Sequence, residues 1–255
     1  MACDPRHVDR IRHPQKLGDK LNDPDAHDAS FVVLFEGWIQ DVHRLHASLV
    51  RQLPSWDWEL VIVDNPVDDA ASETIAALER VVHVPLREPV GWGAGQNLGL
   101  RQSTGRLVCV VDTSVELTGD AIAPVAQTLD DTRVGLVGRW GVVTRNGFDF
   151  EESSGPDVDG VEGYFMALRR SELQHIGLFD PKFRWYRNAD IDFSFRVRHA
   201  GLRTIIDPGL PLERHEHRLW AQAAEAERDE MSRKNFFRFR DHWGNRRDLF
   251  VALDG

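Results

Sequence analysis

The chain has 255 residues, with 31 basic against 41 acidic side chains and a formal net charge of −10. That length suits one α/β domain with its own core, and the acidic balance excludes the broad positive footprint of a nucleic-acid binder. Two cysteines, Cys3 and Cys109, cannot build a disulfide framework, and Cys109 lies in an apolar run of strand type. The expected setting is therefore reducing and cytoplasmic. No stretch reaches the ~18 apolar residues of a membrane span and the N-terminus lacks a secretory apolar region, so no transmembrane anchor is expected.

Residues 1–29 are polar and carry Pro5, Pro14 and Pro24, which predicts a flexible N-terminal arm. Order is expected to begin with an apolar strand at 31–35. Apolar positions at helical spacing follow (Ile39, Val42, Leu45, Leu49), then a second strand at 59–63 stopped by Asp64, Asn65 and Pro66. A short helix over 70–79, a strand at 81–84, a helix over 94–103 and a strongly apolar strand at 106–111 complete the first half. Strand and helix alternate, and the strands are continuously rather than alternately apolar. This pattern predicts a mostly parallel central sheet flanked by helices on both faces. Ligands of such sheets bind at the carboxyl ends of the strands, where Asp64 and Asp112 both stand.

The second half is less regular. Residues 138–163 read as loops and short strands, 161–169 as a strand, and 171–175 as a short helix closed by Gly177. A helix over 190–200 is expected, with Asn188 or Asp190 as its N-cap and Gly201 as terminator. Residues 219–243 predict a C-terminal helical tail containing Trp220, Phe236, Phe237, Phe239 and Trp243. These aromatics fit a core or a subunit interface, which leaves a homodimer open. The expected organisation is an arm (1–29), a domain over 30–217 divided near residue 115 into two halves, and a tail (218–255). The run from Gly91 to Gln96 places glutamine where the third glycine of a dinucleotide fingerprint would stand, so that reading is excluded.

Four segments occur in order: Val-Ile-Val-Asp-Asn at 61–65, Gly-Trp-Gly-Ala-Gly-Gln-Asn-Leu-Gly at 91–99, Val-Val-Asp-Thr-Ser at 110–114, and Phe179-Asp-Pro leading to Asp190-Ile-Asp, Arg196 and Gly201. Together they resemble family 2 glycosyltransferases, and the resemblance implies the GT-A fold, with a nucleotide-binding half (30–115) and an acceptor-binding half (116–217), and an inverting transfer from a nucleotide sugar, UDP being the expected nucleotide, to a hydroxyl acceptor. On this resemblance Asp64 reads the nucleobase, as an acceptor-only carboxylate facing an imide N–H; a strand-end cap is the plainer role. Gly91, Gly93 and Asn97 shape a turn close to the nucleotide, and Arg101 either faces the diphosphate or is a solvated arginine. The D-x-D motif of the family, which holds a divalent cation, Mn or Mg, reads Asp112-Thr113-Ser114 here and has lost one anionic ligand. Asp112, Glu116 and His215, or His217 in place of His215, are the expected ligands, with Ser114 a neutral neighbour. Asp190 matches the general base, although the acidic residue that precedes it in the family is Ala189. The helix N-terminus is expected to keep its pKa low, while Asp192 is expected to serve structure and Arg196 and Arg198 to pair with carboxylates. Trp185 and Tyr186 are the expected acceptor-binding aromatics, with core packing the plainer role and Trp140 a weaker candidate of the same kind, while Trp92 either borders the nucleotide or is buried. A homologue that binds sugar nucleotides or glycans without turnover is the alternative raised by Ser114 and Ala189.

Overall fold

A computed structural model of the chain describes residues 26–65 and 69–251. Cys3 and most of the expected arm lie outside the described residues. The first half comprises β1 (Ala29–Phe35), α1 (Ile39–Gln52), β2 (Trp58–Asp64), α2 (Asp69–Ala76), β3 (Val81–Pro85), α3 (Trp92–Gln102), β4 (Leu107–Val111) and β5 (Val115–Leu117). There follow α4 (Ile122–Leu129), β6 (Val134–Gly138), β7 (Gly141–Thr144), β8 (Phe150–Glu152), β9 (Gly160–Val161), β10 (Phe165–Arg169) and α5 (Leu173–Ile176). The chain closes with α6 (Ala189–His199), β11 (Arg203–Ile206), β12 (Leu212–Arg214), α7 (Arg218–Gln222) and α8 (Glu225–Trp243). The strand expected over 161–169 is divided: Glu162, Gly163 and Tyr164 form a turn between β9 and β10, and that turn reaches the functional site.

Seven strands form the main sheet in the order β11-β6-β10-β4-β1-β2-β3. The pairs β1–β2, β1–β4, β2–β3 and β11–β6 are parallel, and β10 runs antiparallel between β4 and β6. All seven residues of β1 are buried. Phe31, Val33 and Phe35 pack on one face with α1, whereas Val32 and Leu34 pack on the other with Trp92 and Leu100 of α3. Helices on both faces thus account for the continuous apolar run. Chain order reverses on either side of β1, and the carboxyl ends of β4, β1 and β2 bring Asp112, Glu36 and Asp64 to one rim.

The helical tail is part of this body. Phe239, 1% exposed, packs on Phe150 and Phe195 at ring separations of 5.7 and 5.0 Å. Asp192 accepts bonds from Trp243 Nε1 and Arg196 Nε, and His242 Nδ1 lies 2.9 Å from it. It therefore serves structure, as expected. Arg198 departs from expectation: its guanidinium donates to the carbonyl of Leu249 rather than to a carboxylate. Asn235 Nδ2 donates to the carbonyls of Trp185 (2.8 Å) and Arg187 (2.7 Å), so α8 clamps the loop that carries Tyr186. No helix among the described residues is long and apolar enough to cross a membrane.

Candidate active site

Parallel strands end with their side chains facing the loops above the sheet, and here those loops enclose a cleft of about 380 Å³. Asp112, Asp190, Tyr186, Tyr164, His217 and Trp92 are among its walls. Asp112 follows β4. Its Oδ1 accepts from the backbone N–H of Ser114 (2.8 Å) and from the Ser114 hydroxyl, and its Oδ2 lies 3.3 Å from His217 Nε2. Burial works against the Asp112 charge, yet the imidazole and the two Ser114 donors hold its pKa below the usual carboxylate range. Burial likewise opposes the charge of His217, and Asp112 more than offsets it, so the imidazole is raised. His217 Nδ1 accepts from Trp220 N–H at 3.2 Å, so the imidazole proton lies on Nε2, facing Asp112 Oδ2. Glu36, after β1, lies close to both and is pushed up to about 7, first by burial and then by the charge of Asp112.

Asp190 stands opposite, in the first turn of α6. Asn188 takes the N-cap place with φ 63° and makes no side-chain cap, so Asp190 is not the cap. Its Oδ2 accepts from Gly163 N–H (2.8 Å) and its Oδ1 from Ile191 N–H (2.9 Å). The expectation of a low pKa is overturned. Burial raises it, the backbone donors and Arg187 offset only part of the rise, and the balance carries it from 3.8 to about 6. A carboxylate that is largely protonated below pH 6 and ionised above it is suited to accept a proton near neutrality.

The other expected residues divide. Tyr186 lines the cleft, its ring 4.5 Å from that of His217, but Trp185 is 8% exposed and turned away into packing. Trp92 is at the cleft and also stacks edge-on with Phe179 at 5.0 Å. Trp140 lies outside it, with the guanidinium groups of Arg139 and Arg214 each 5.4 Å from its ring. Asp64 is 3% exposed; its Oδ2 lies 2.9 Å from His83 Nε2, and its Oδ1 is buried without a partner among the described residues. Burial opposes its charge, but His83 and Ser72 together hold its pKa low.

Asn97 does not open toward a ligand. Both ends of its amide are taken by the backbone of Phe179, at 2.8 and 2.9 Å. Arg101 is exposed at the far end of α3, where it donates to the carbonyl of Asn97. Gly91 and Gly93 serve a close approach, but to protein. A Cβ at Gly91 would lie 2.7 Å from Arg184 Cα, and one at Gly93 2.5 Å from the carbonyl oxygen of Asp180. The helix start thus sits against the loop leading to α6. Gly93→Ala is expected to destabilise the fold by about 2 kcal/mol, a melting-point drop of roughly 4–8 °C by calorimetry.

The expected ligand trio is separated. His215 Nε2 lies 3.0 Å from Glu116 Oε2, and Arg51 donates to the same carboxylate, so His215 and Glu116 pair with each other on β5 and the chain beyond β12. His217 is the histidine that meets Asp112. Positions 215 and 217 would share a face of a regular extended chain, and it is the turn into α7, where His217 takes the N-cap place and its Nδ1 accepts from Trp220 N–H, that brings His217 and not His215 to Asp112. Among the described residues no three His, Cys, Asp or Glu side chains are placed to hold an ion. Asp112 Oδ2 and His217 Nε2 still converge on one point of the cleft. Two protein ligands suit a cation that arrives with a diphosphate and takes its remaining oxygens from phosphate and water. Glu36 was missed from sequence, although the rule that singled out Asp64 and Asp112, an acid directly after a buried strand, applies to it equally.

A mixed sheet with a single antiparallel strand, acids at the ends of three adjacent parallel strands and a cleft roofed by the α6 loop define a GT-A glycosyltransferase domain. Residues 31–194 match the family model described as Glycosyl transferase family 2, and the chain belongs to that family. No curated protein sequence matches it. Solved structures with the same fold include GalNAc-T7 with UDP, GalNAc and Mn2+ (TM-score 0.69, 15% identity, 88% of this chain and 49% of that one). Others are the mannosyltransferase PcManGT from Pyrobaculum calidifontis with GDP-Man and Mn2+ (0.60, 19%, 79% and 63%) and S. aureus TarS 1-349 (0.56, 18%, 85% and 72%). The chain thus spans about half the length of the first of these and under two thirds of the second.

Proposed function

We propose that the chain transfers a sugar from a nucleoside diphosphate donor, a UDP-sugar, to a hydroxyl acceptor with inversion, and that Asp190 is the general base. The observation that carries this reading is the placing of Asp190 across one cleft from the Asp112–His217 pair, in a chain of glycosyl transferase family 2. An acceptor hydroxyl gives its proton to Asp190 as its oxygen attacks the anomeric carbon. The bond from that carbon to the diphosphate oxygen breaks on the opposite face, and the electron pair leaves with the diphosphate. When bound, a divalent cation on Asp112 and His217 neutralises charge on that leaving group. Tyr186 supplies an aromatic face to the acceptor. The Oδ1 of Asp64, buried and without a partner among the described residues, supports uracil as the base, because such an oxygen is costly and the imide N–H of uracil would satisfy it.

Two measurements test this. UDP at ~20 times its dissociation constant is expected to stabilise the protein by about 1.8 kcal/mol, a rise of roughly 4–7 °C for a domain of this size. GDP is expected to give a smaller rise at the same concentration. The anomeric configuration of the product, read by NMR, is expected to be opposite to that of the donor, and retention would sink the mechanism.

A further inference from the structure

Asp190 shares its wall of the cleft with a second carboxylate. The turn between β9 and β10 carries Glu162 and Gly163, and the same Gly163 N–H that holds Asp190 follows Glu162 directly. Glu162 lines the cleft with its side chain 25% exposed, and Arg214 Nη1 of β12 lies 3.3 Å from its Oε2. Arg214 is itself fixed, its guanidinium 5.2 Å above the ring of Tyr164. The charged groups that bear on Glu162 are Asp190, Arg214 and Glu152. Burial first, and the charge of Asp190 second, raise its pKa, while Arg214 offsets part of the rise. At position 189, where family 2 enzymes carry a glutamate, Ala189 is 1% exposed and packed in the core. A second acid therefore reaches the cleft from another element.

We propose that Glu162 is an acceptor-binding residue that, together with Asp190, grips a vicinal diol, so that the acceptor is a sugar or polyol rather than an isolated alcohol. The inference rests on Asp190 being the base. An ionised carboxylate only accepts hydrogen bonds. Two of them on one wall therefore call for two hydroxyls, one to be deprotonated by Asp190 and its neighbour to donate to Glu162. A serine side chain or a fatty alcohol brings only one. Glu162 keeps its charge throughout: the proton passes to Asp190, the new C–O bond forms at the anomeric carbon and the leaving electrons stay on the diphosphate. A carboxylate so placed fixes which hydroxyl is attacked.

The test uses the full chain with UDP bound and methyl glycosides of glucose, galactose and mannose as probes, observed by saturation-transfer NMR. At least one glycoside is expected to bind the wild type. Its analogue lacking the hydroxyl next to the glycosylated one is expected to bind about tenfold or more weakly, the effect of one hydrogen bond to a charged group. In Glu162→Gln the full glycoside should weaken by a similar factor and the penalty for the deoxy analogue should largely vanish. Glu162→Asp should recover part of the binding. UDP affinity is expected to be the same in all these proteins, which separates a local effect from misfolding. Asp190→Asn keeps glycoside binding but not transfer, so a failure of the base assignment shows there and not in Glu162→Gln. Absence of binding by every glycoside, or an unchanged deoxy penalty in Glu162→Gln, would overturn the proposal.

Discussion

Replacing Asp190 by asparagine is expected to lower kcat by about 10³-fold while leaving UDP affinity unchanged, since general-base catalysis typically contributes 10²–10⁴-fold. The amide keeps the size of the side chain and an oxygen for Gly163 N–H, but it cannot take a proton. In the wild type, kcat/KM should fall as pH drops through about 6, the value to which burial raises this carboxylate, approaching tenfold per pH unit below it. Asp190→Asn should abolish that limb along with the rate. Stability should move the opposite way. The folded-state pKa lies above the unfolded value of 3.8, so the stabilising contribution is complete below 3.8 and is lost as pH climbs through about 6. At pH 8 the wild type holds a buried charge that the asparagine variant lacks. The variant is therefore expected to melt higher than wild type at pH 8, with the gap closing toward pH 4. A lower melting point at pH 8 would show that the backbone donors outweigh the desolvation.

The second large effect is expected at Asp112. Asp112→Asn removes the carboxylate charge that lies 3.3 Å from His217 Nε2. We expect kcat to fall by about 10²-fold, the scale of removing one electrostatic stabiliser of a leaving group. Manganese should deepen the UDP-induced thermal shift of the wild type, and EDTA should reverse the gain. In Asp112→Asn the UDP shift should be the same with manganese or EDTA. His215→Ala is the informative companion, because His215 pairs with Glu116 outside the cleft and its loss should leave the manganese response intact. A response lost in His215→Ala but kept in His217→Ala would reverse the assignment of the two histidines.

Much of the domain is legible along the chain. Burial on both faces demands unbroken apolar strands, and the runs at 31–35, 59–63 and 106–111 each became a central strand within one or two residues. Helix periodicity is local, so α1, α3 and α6 also fall close to their expected spans. The acids at strand ends follow from the same logic, because a parallel sheet delivers successive strand termini to one rim. Antiparallel β10 and the break between β9 and β10 were not legible, since an apolar run of that length says nothing about its direction or its partner.

Residue types and their order along the chain thus determined the family, the parallel frame and the candidacy of Asp64, Asp112 and Asp190. Tertiary structure decided which groups meet. Spacing along the chain cannot say that His217 rather than His215 faces Asp112, or that Asn97 is consumed by the backbone of Phe179. Nor can it say that Trp185 turns inward while Tyr186 lines the cleft. The ionisation of Asp190 is of the same kind. A helix N-terminus is a local feature that favours the charge, whereas desolvation depends on every element that closes over the carboxylate, and here the second effect is larger. Contacts between residues distant in sequence, such as Gly163 with Asp190 and Asn235 with the Tyr186 loop, set the chemistry, because they fix distance and dielectric together.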